Sequence, residues 1–199
     1  MKGIRLFRPY FAHPINLYNT QLERSLHLLI AHHFNLPERA VENPNQPHHQ
    51  EGYVQYARRA SLVIMNHEGM GYFFDEVLPD CDGSVAIPFF DGCMGFGVAG
   101  EMNWFIKEGL PVFVIFATEE VAPEALHRFE LDHHSGLFDL RPFTEEEKIF
   151  IMANDPRLVV PHEETRLRTF FVYGQTMRPF EESHLVRLPV PSGFYPDKK

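Results

Sequence analysis

Asp75, Asp91 and Glu101 fall close together in a stretch that also carries two apolar strand patterns, Ser84–Phe90 and Pro111–Phe116, and a glycine-rich turn. An α/β sheet presents its ligand-binding groups at the carboxyl ends of its strands. Carboxylates gathered on such a rim are costly unless a ligand or a reaction uses them. These residue types therefore predict acid/base or nucleophilic carboxylate chemistry on a polar small molecule.

Glu101 is the strongest of the three. It sits on a helix expected over residues 95–108, where Val98, Met102, Phe105 and Ile106 form a core stripe. Glu101 borders that stripe, so its carboxyl is expected to be partly desolvated, with a raised pKa unless donors hold it. Gly95, Gly97 and Gly100 leave the first turns without bulk, which favours close approach of a ligand to amides that attract negative charge. The same glycines satisfy GxGxxG, with Glu119 or Glu120 as the acidic partner of a dinucleotide. The turn is not a Walker motif, because Gly-Lys-Ser/Thr is missing.

Structural readings stand beside these. Glu101 as a solvated helix residue, Asp75 as a helix-start charge, Asp91 as a turn residue and Tyr10 as core packing all remain open. Twelve histidines invite a metal, and His48-His49 or Asp132-His133-His134 have the ligand chemistry. Adjacent histidines on a strand point to opposite faces, and HExxH is missing, so surface or interface histidines are expected and no metal or cofactor is assigned. Asn43 and His49 follow an expected short strand and are candidates to line a pocket. Tyr53, Tyr56, Met70, Tyr72 and Phe74 are either aromatic core or a stacking surface for a base.

The elements that must position these groups read as follows. A first strand spans residues 4–12, and a helix capped by Asn19 or Thr20 carries Leu22, Leu26, Leu29, Ile30 and Phe34 on one face. A short strand is expected over residues 39–42, a helix from 51 towards 65 (with 61–65 a strand alternative), and another helix over 71–78, stopped by Pro79. Strands Ser84–Phe90 and Pro111–Phe116 flank the Glu101 helix, which Gly109 ends. This alternation predicts a parallel sheet with helices on both faces. Residues 121–199 are expected to form a mainly helical, proline-rich extension packed on the domain of residues 1–120. Its helices are expected over 119–132, from the Thr144–Glu147 capping box to Ala153, and near 163–171.

With 199 residues, 44% of them apolar, the chain can bury a sizeable core. A net charge of −9 argues against a nucleic-acid polymer as partner. Two cysteines without a CxxC pairing, no signal-peptide pattern and no apolar run of membrane length lead to the expectation of a cytoplasmic protein without membrane partners.

Tyr10-Phe11-Ala12-His13-Pro14-Ile15, with the order Asp75, strand, Asp91, glycine turn, Glu101 and GLPVFVI, resembles the nucleoside 2-deoxyribosyltransferases and their N-glycosidase relatives over residues 8–118. The resemblance implies a flavodoxin-like fold, a homo-oligomer and a nucleoside or nucleotide substrate. It implies Glu101 as the nucleophile on the anomeric carbon, and Asp75 and Asp91 in sugar orientation and proton transfer. Tyr10 would position the nucleophile or ligand. His13 stands where the family has a small residue, and would shape the sugar pocket. The chemistry is coherent: a carboxylate stabilises or captures an oxocarbenium-like centre while a second acid protonates the leaving base. The alternative is a nucleotide-binding module without turnover; a metal-dependent hydrolase is a third reading.

Overall fold

The computed structural model describes residues 5–14, 17–60, 70–88, 93–119 and 121–153, with short segments at 167–168, 171–172, 175–176, 180–181 and 185–187. Strand β1 (Pro9–Ala12) leads to helix α1 (Gln21–His33), whose N-cap Thr20 accepts from the Glu23 amide. A 3₁₀ turn (Glu38–Ala40) and helix α2 (Pro47–Ala60) follow. Next comes a helical stretch in three pitches: α3 (Met70–Tyr72), a π turn (Phe73–Val77) and a 3₁₀ turn (Leu78–Asp80). Strand β2 (Gly83–Ala86), strand β3 (Cys93–Gly95), helix α4 (Phe96–Lys107) and strand β4 (Val112–Ala117) form the next unit. Helix α5 (Pro123–Leu131), strand β5 (Phe138–Pro142) and helix α6 (Glu145–Ala153) come after it. Five short strands end the described chain: β6 (Leu167–Arg168), β7 (Phe171–Val172), β8 (Gln175–Thr176), β9 (Phe180–Glu181) and β10 (Leu185–Arg187).

The main sheet runs β1-β2-β4-β5; β1, β2 and β4 are parallel and β5 is antiparallel to β4. The chain is thus an α/β protein with a four-strand, mostly parallel sheet. Alternation along the strands splits its core in two. Phe11, Val85, Ile87, Phe113, Ile115 and Leu140 face α1 and α5. Tyr10, Ala12, Ala86, Val112 and Val114 face α4 and α6. Both faces are covered, which is why these strands read as continuous apolar runs.

Several expectations need correction. Residues 39–42 do not form a strand: Glu38–Ala40 is a 3₁₀ turn, and only Glu42 bridges Tyr10 in parallel. Two backbone bonds, Phe11 N–H to Glu42 O and Glu42 N–H to Pro9 O, fix that single contact at 2.8 Å each. Pro37 and Pro44 bracket the segment and restrict further pairing. Within the extension beyond 120, the described residues include β5, a strand of the main sheet where no strand was expected. Its buried Phe138 and Leu140 flank exposed Asp139, a two-residue period too short to stand out in the sequence. Where residues 163–171 are described, they are strands β6 and β7 rather than helix. The strand alternative at 61–65 and the end of the Ser84–Phe90 strand lie outside the described residues.

The expected caps are present. Thr144 and Glu147 exchange the two bonds of a capping box, 2.8 and 3.2 Å, and Arg141 grips the Glu147 carboxylate with two further bonds. Gly109 adopts φ +70°, the left-handed turn that ends α4. Gly83 opens β2 where a Cβ would lie 2.8 Å from the Pro111 carbonyl oxygen. Gly83→Ala is therefore expected to destabilise the protein by about 1–3 kcal/mol, measured as a lower denaturant midpoint.

Candidate active site

Strand parity and helix parity together produce the central contact. Tyr10 is one of the β1 residues facing α4, and Glu101 lies on the side of α4 turned to the sheet. The Tyr10 hydroxyl donates to Glu101 Oε1 at 2.8 Å, with both side chains buried. Phe105 stacks on the Tyr10 ring at 6.2 Å and Phe73 meets it edge-on at 6.4 Å, so the phenol has little freedom. Burial pushes the Glu101 carboxyl up to about 8, against the opposing effect of the Tyr10 hydrogen bond. The Tyr10 phenol is driven well above its ordinary range, by burial first and by the Glu101 charge second.

Glu101 opens onto a cavity of about 430 Å³, a size suited to a small ligand. His13 and Pro14 line it directly after β1, and Pro44 follows the Glu42 bridge. The walls are largely aromatic, with Tyr18, Tyr53 and Phe73, and His49 closes one side. Gly95, Gly97 and Val98 bring in the first turn of α4, where a helix has amide donors without intrahelical partners. Gly95 is the N-cap residue, and no side chain caps it.

A second network holds the wall. His13 Nδ1 lies 2.8 Å from the Phe11 carbonyl and Nε2 lies 3.1 Å from Glu23 Oε1. Both ring nitrogens thus face oxygens, which fixes the orientation of the imidazole. Glu23 also accepts from Asn43 Nδ2 (3.0 Å), the Asn19 amide (2.6 Å) and Asn45 Nδ2 (2.9 Å). Burial alone would raise its pKa, but His13, Asn43 and the Asn19 amide outweigh it and hold the carboxyl below its ordinary range. Glu42 is held down to about 2, first by the His49 hydrogen bond, against burial, and then by Arg8. Glu101 differs from both, since among the described residues a single phenol supports it.

The structure gathers Glu101, Tyr10, His13, His49, Gly95 and Gly97 at or beside one cavity. It does not bring Asp75 there. Phe73 and Val77 are the buried residues of the π turn, and Asp75 lies between them on the opposite, exposed side, hydrogen-bonded by the Tyr56 hydroxyl. Asn43 lines a neighbouring polar hollow of about 520 Å³ and supports the Glu23 carboxylate instead. Asp91 lies outside the described residues. Tyr18, Glu23 and Glu42 were not singled out from the sequence. Of these, Glu23 carried a signal, standing three residues after the cap Thr20. No protein-family model, no curated protein and no solved structure matches this chain.

The raised Glu101 pKa has a stability consequence. The folded chain holds this proton more tightly than the unfolded chain, whose carboxyl titrates near 4.5. The contribution is fully present below pH 4.5 and is lost as pH rises through about 8. Glu101→Gln is expected to gain stability over the native chain between pH 5 and pH 9, measured by denaturant midpoints at the two pH values. An unchanged gap would show that Glu101 is not desolvated.

Proposed function

We propose that this protein cleaves or transfers across the N-glycosidic bond of a nucleoside or nucleotide, with Glu101 as nucleophile. The buried Tyr10–Glu101 pair opening onto an aromatic-walled cavity carries this reading. Tyr18, Tyr53 and Phe73 suit a flat base, and Glu101 is the group placed against the sugar. The fold is read as flavodoxin-like: with the Glu42 bridge taken as a vestigial outer strand, the order becomes Glu42, β1, β2, β4, β5. That is the 2-1-3-4-5 order, whose switch point lies beside the first strand, next to His13 and Pro14.

In this reaction the Glu101 carboxylate approaches the anomeric carbon as the carbon–nitrogen bond breaks and its electron pair leaves with the base. The developing positive sugar centre favours the ionised carboxylate, and the Tyr10 hydroxyl supports that form by hydrogen bonding. A proton must reach the departing base, and water or a second base then takes the glycosyl group. Asp75 has no part in this scheme, because it lies outside the cavity. Asp91 keeps the role implied by the resemblance, orienting the sugar hydroxyls or protonating the base.

A mixed pool of nucleosides and nucleoside monophosphates, followed by chromatography, is expected to release free base or exchange it. Glu101→Ala is expected to lower turnover by about a thousandfold or more while circular dichroism stays unchanged. Saturable nucleotide binding without turnover of any substrate in the panel would favour a binding module of the same fold.

The pH profile separates two roles for the same residue. A nucleophile must be ionised, so kcat/KM is expected to rise with pH and level off above about 8. A rate that falls above that pH would assign Glu101 as a general acid instead.

A further inference from the structure

We propose that Glu42, His48 and His49 form a site for a divalent transition metal, with Zn²⁺ as the reference ion, at the wall of the Glu101 cavity. The sequence placed the two histidines without geometry; the structure sets both in the first turn of α2, with ring centroids 3.9 Å apart. Glu42 reaches them from a separate segment, held by its backbone bridge to Tyr10. Glu42 Oε1 lies 2.6 Å from His49 Nε2 and 4.0 Å from His48 Nε2. One ligand atom from each residue falls within 4.8 Å of the other two.

Two imidazoles and a carboxylate are the donor set that zinc takes at about 2.0–2.2 Å, with a fourth position left open. Moving His49 slightly away and His48 closer brings all three donors to one ion. The ion then takes the place of the direct His49–Glu42 hydrogen bond.

The surroundings already have the form of a supporting shell. Arg8 donates to the other oxygen, Glu42 Oε2, at 3.0 and 2.6 Å, which turns Oε1 towards the imidazoles. The Tyr72 hydroxyl lies 3.0 Å from His49 Nδ1 and orients the ring so that Nε2 faces the ion. His48 is 62% exposed and provides the way in, while Glu42 and His49 are buried. The Arg8 charge opposes a cation, but its side chain is 46% exposed and solvent screens it. Because His49 also lines the cavity, an ion held here stands against the space where the ligand binds. This site stands independently of the glycosidic reading.

The test is calorimetric titration of the full chain with ZnCl₂, paired with Co²⁺ absorption to report the ligand field. One saturable equivalent is expected, and His48→Ala is expected to weaken it by about tenfold or more with the circular dichroism spectrum unchanged. A His133→Ala/His134→Ala double variant controls for the other adjacent histidine pair and is expected to bind as the native chain does. No saturable binding at about 100 μM zinc, equal binding by His48→Ala, or loss of binding in the double variant would each overturn the site.

Discussion

The arrangement depends on keeping one carboxyl buried with a single hydrogen bond from the described residues, that of Tyr10. Desolvation of Glu101 works against ionisation, and the Tyr10 phenol only partly offsets it, so the acid ends near 8 rather than 4.5. That balance needs Tyr10 on the β1 face turned to α4, and Phe105 and Phe73 pinning its ring. A one-residue slip of β1 would exchange Tyr10 for Phe11 and leave Glu101 with no donor.

The other buried carboxylates show how unusual this is within the same chain. Glu23, Glu42 and Glu147 each lie below their ordinary range, because donors from several segments surround them. Those three join separate segments: Glu23 fixes His13 and the Asn43–Asn45 turn, Glu42 links Arg8 to His49, and Glu147 joins Arg141 to the start of α6. Among the described residues, Glu101 alone of the four is left with a single donor, and it faces the aromatic-walled cavity. A group that can still gain or lose a proton near neutral pH is the one suited to chemistry.

Much of the scaffold was legible because its signals are local. The apolar runs at β2 and β4, the stripe on α1, the Thr144–Glu147 box and the Gly109 turn all depend on short-range sterics or periodicity. β5 was missed because two buried positions around Asp139 make too short a pattern, and it is held by pairing with β4 rather than by its own propensity. The Glu42 contact was read as a strand because pairing depends on a partner, and only one residue pair forms. Asp75 was placed at the site by order along the chain. Its true side depends on the rotation of a π turn, which the sequence does not reveal.

The sequence by itself determined that helices would cover both faces of a sheet whose β1, β2 and β4 run parallel and that Glu101 would border a buried stripe, since both follow from residue periodicity. Only the tertiary structure decided that Glu101 meets the cavity and Asp75 does not, that Tyr10 is the donor to Glu101, and that His49 closes one wall. Those contacts join residues as far apart as Tyr10 and Glu101, whose separation is set by strand order and helix packing and not by any local preference of the chain.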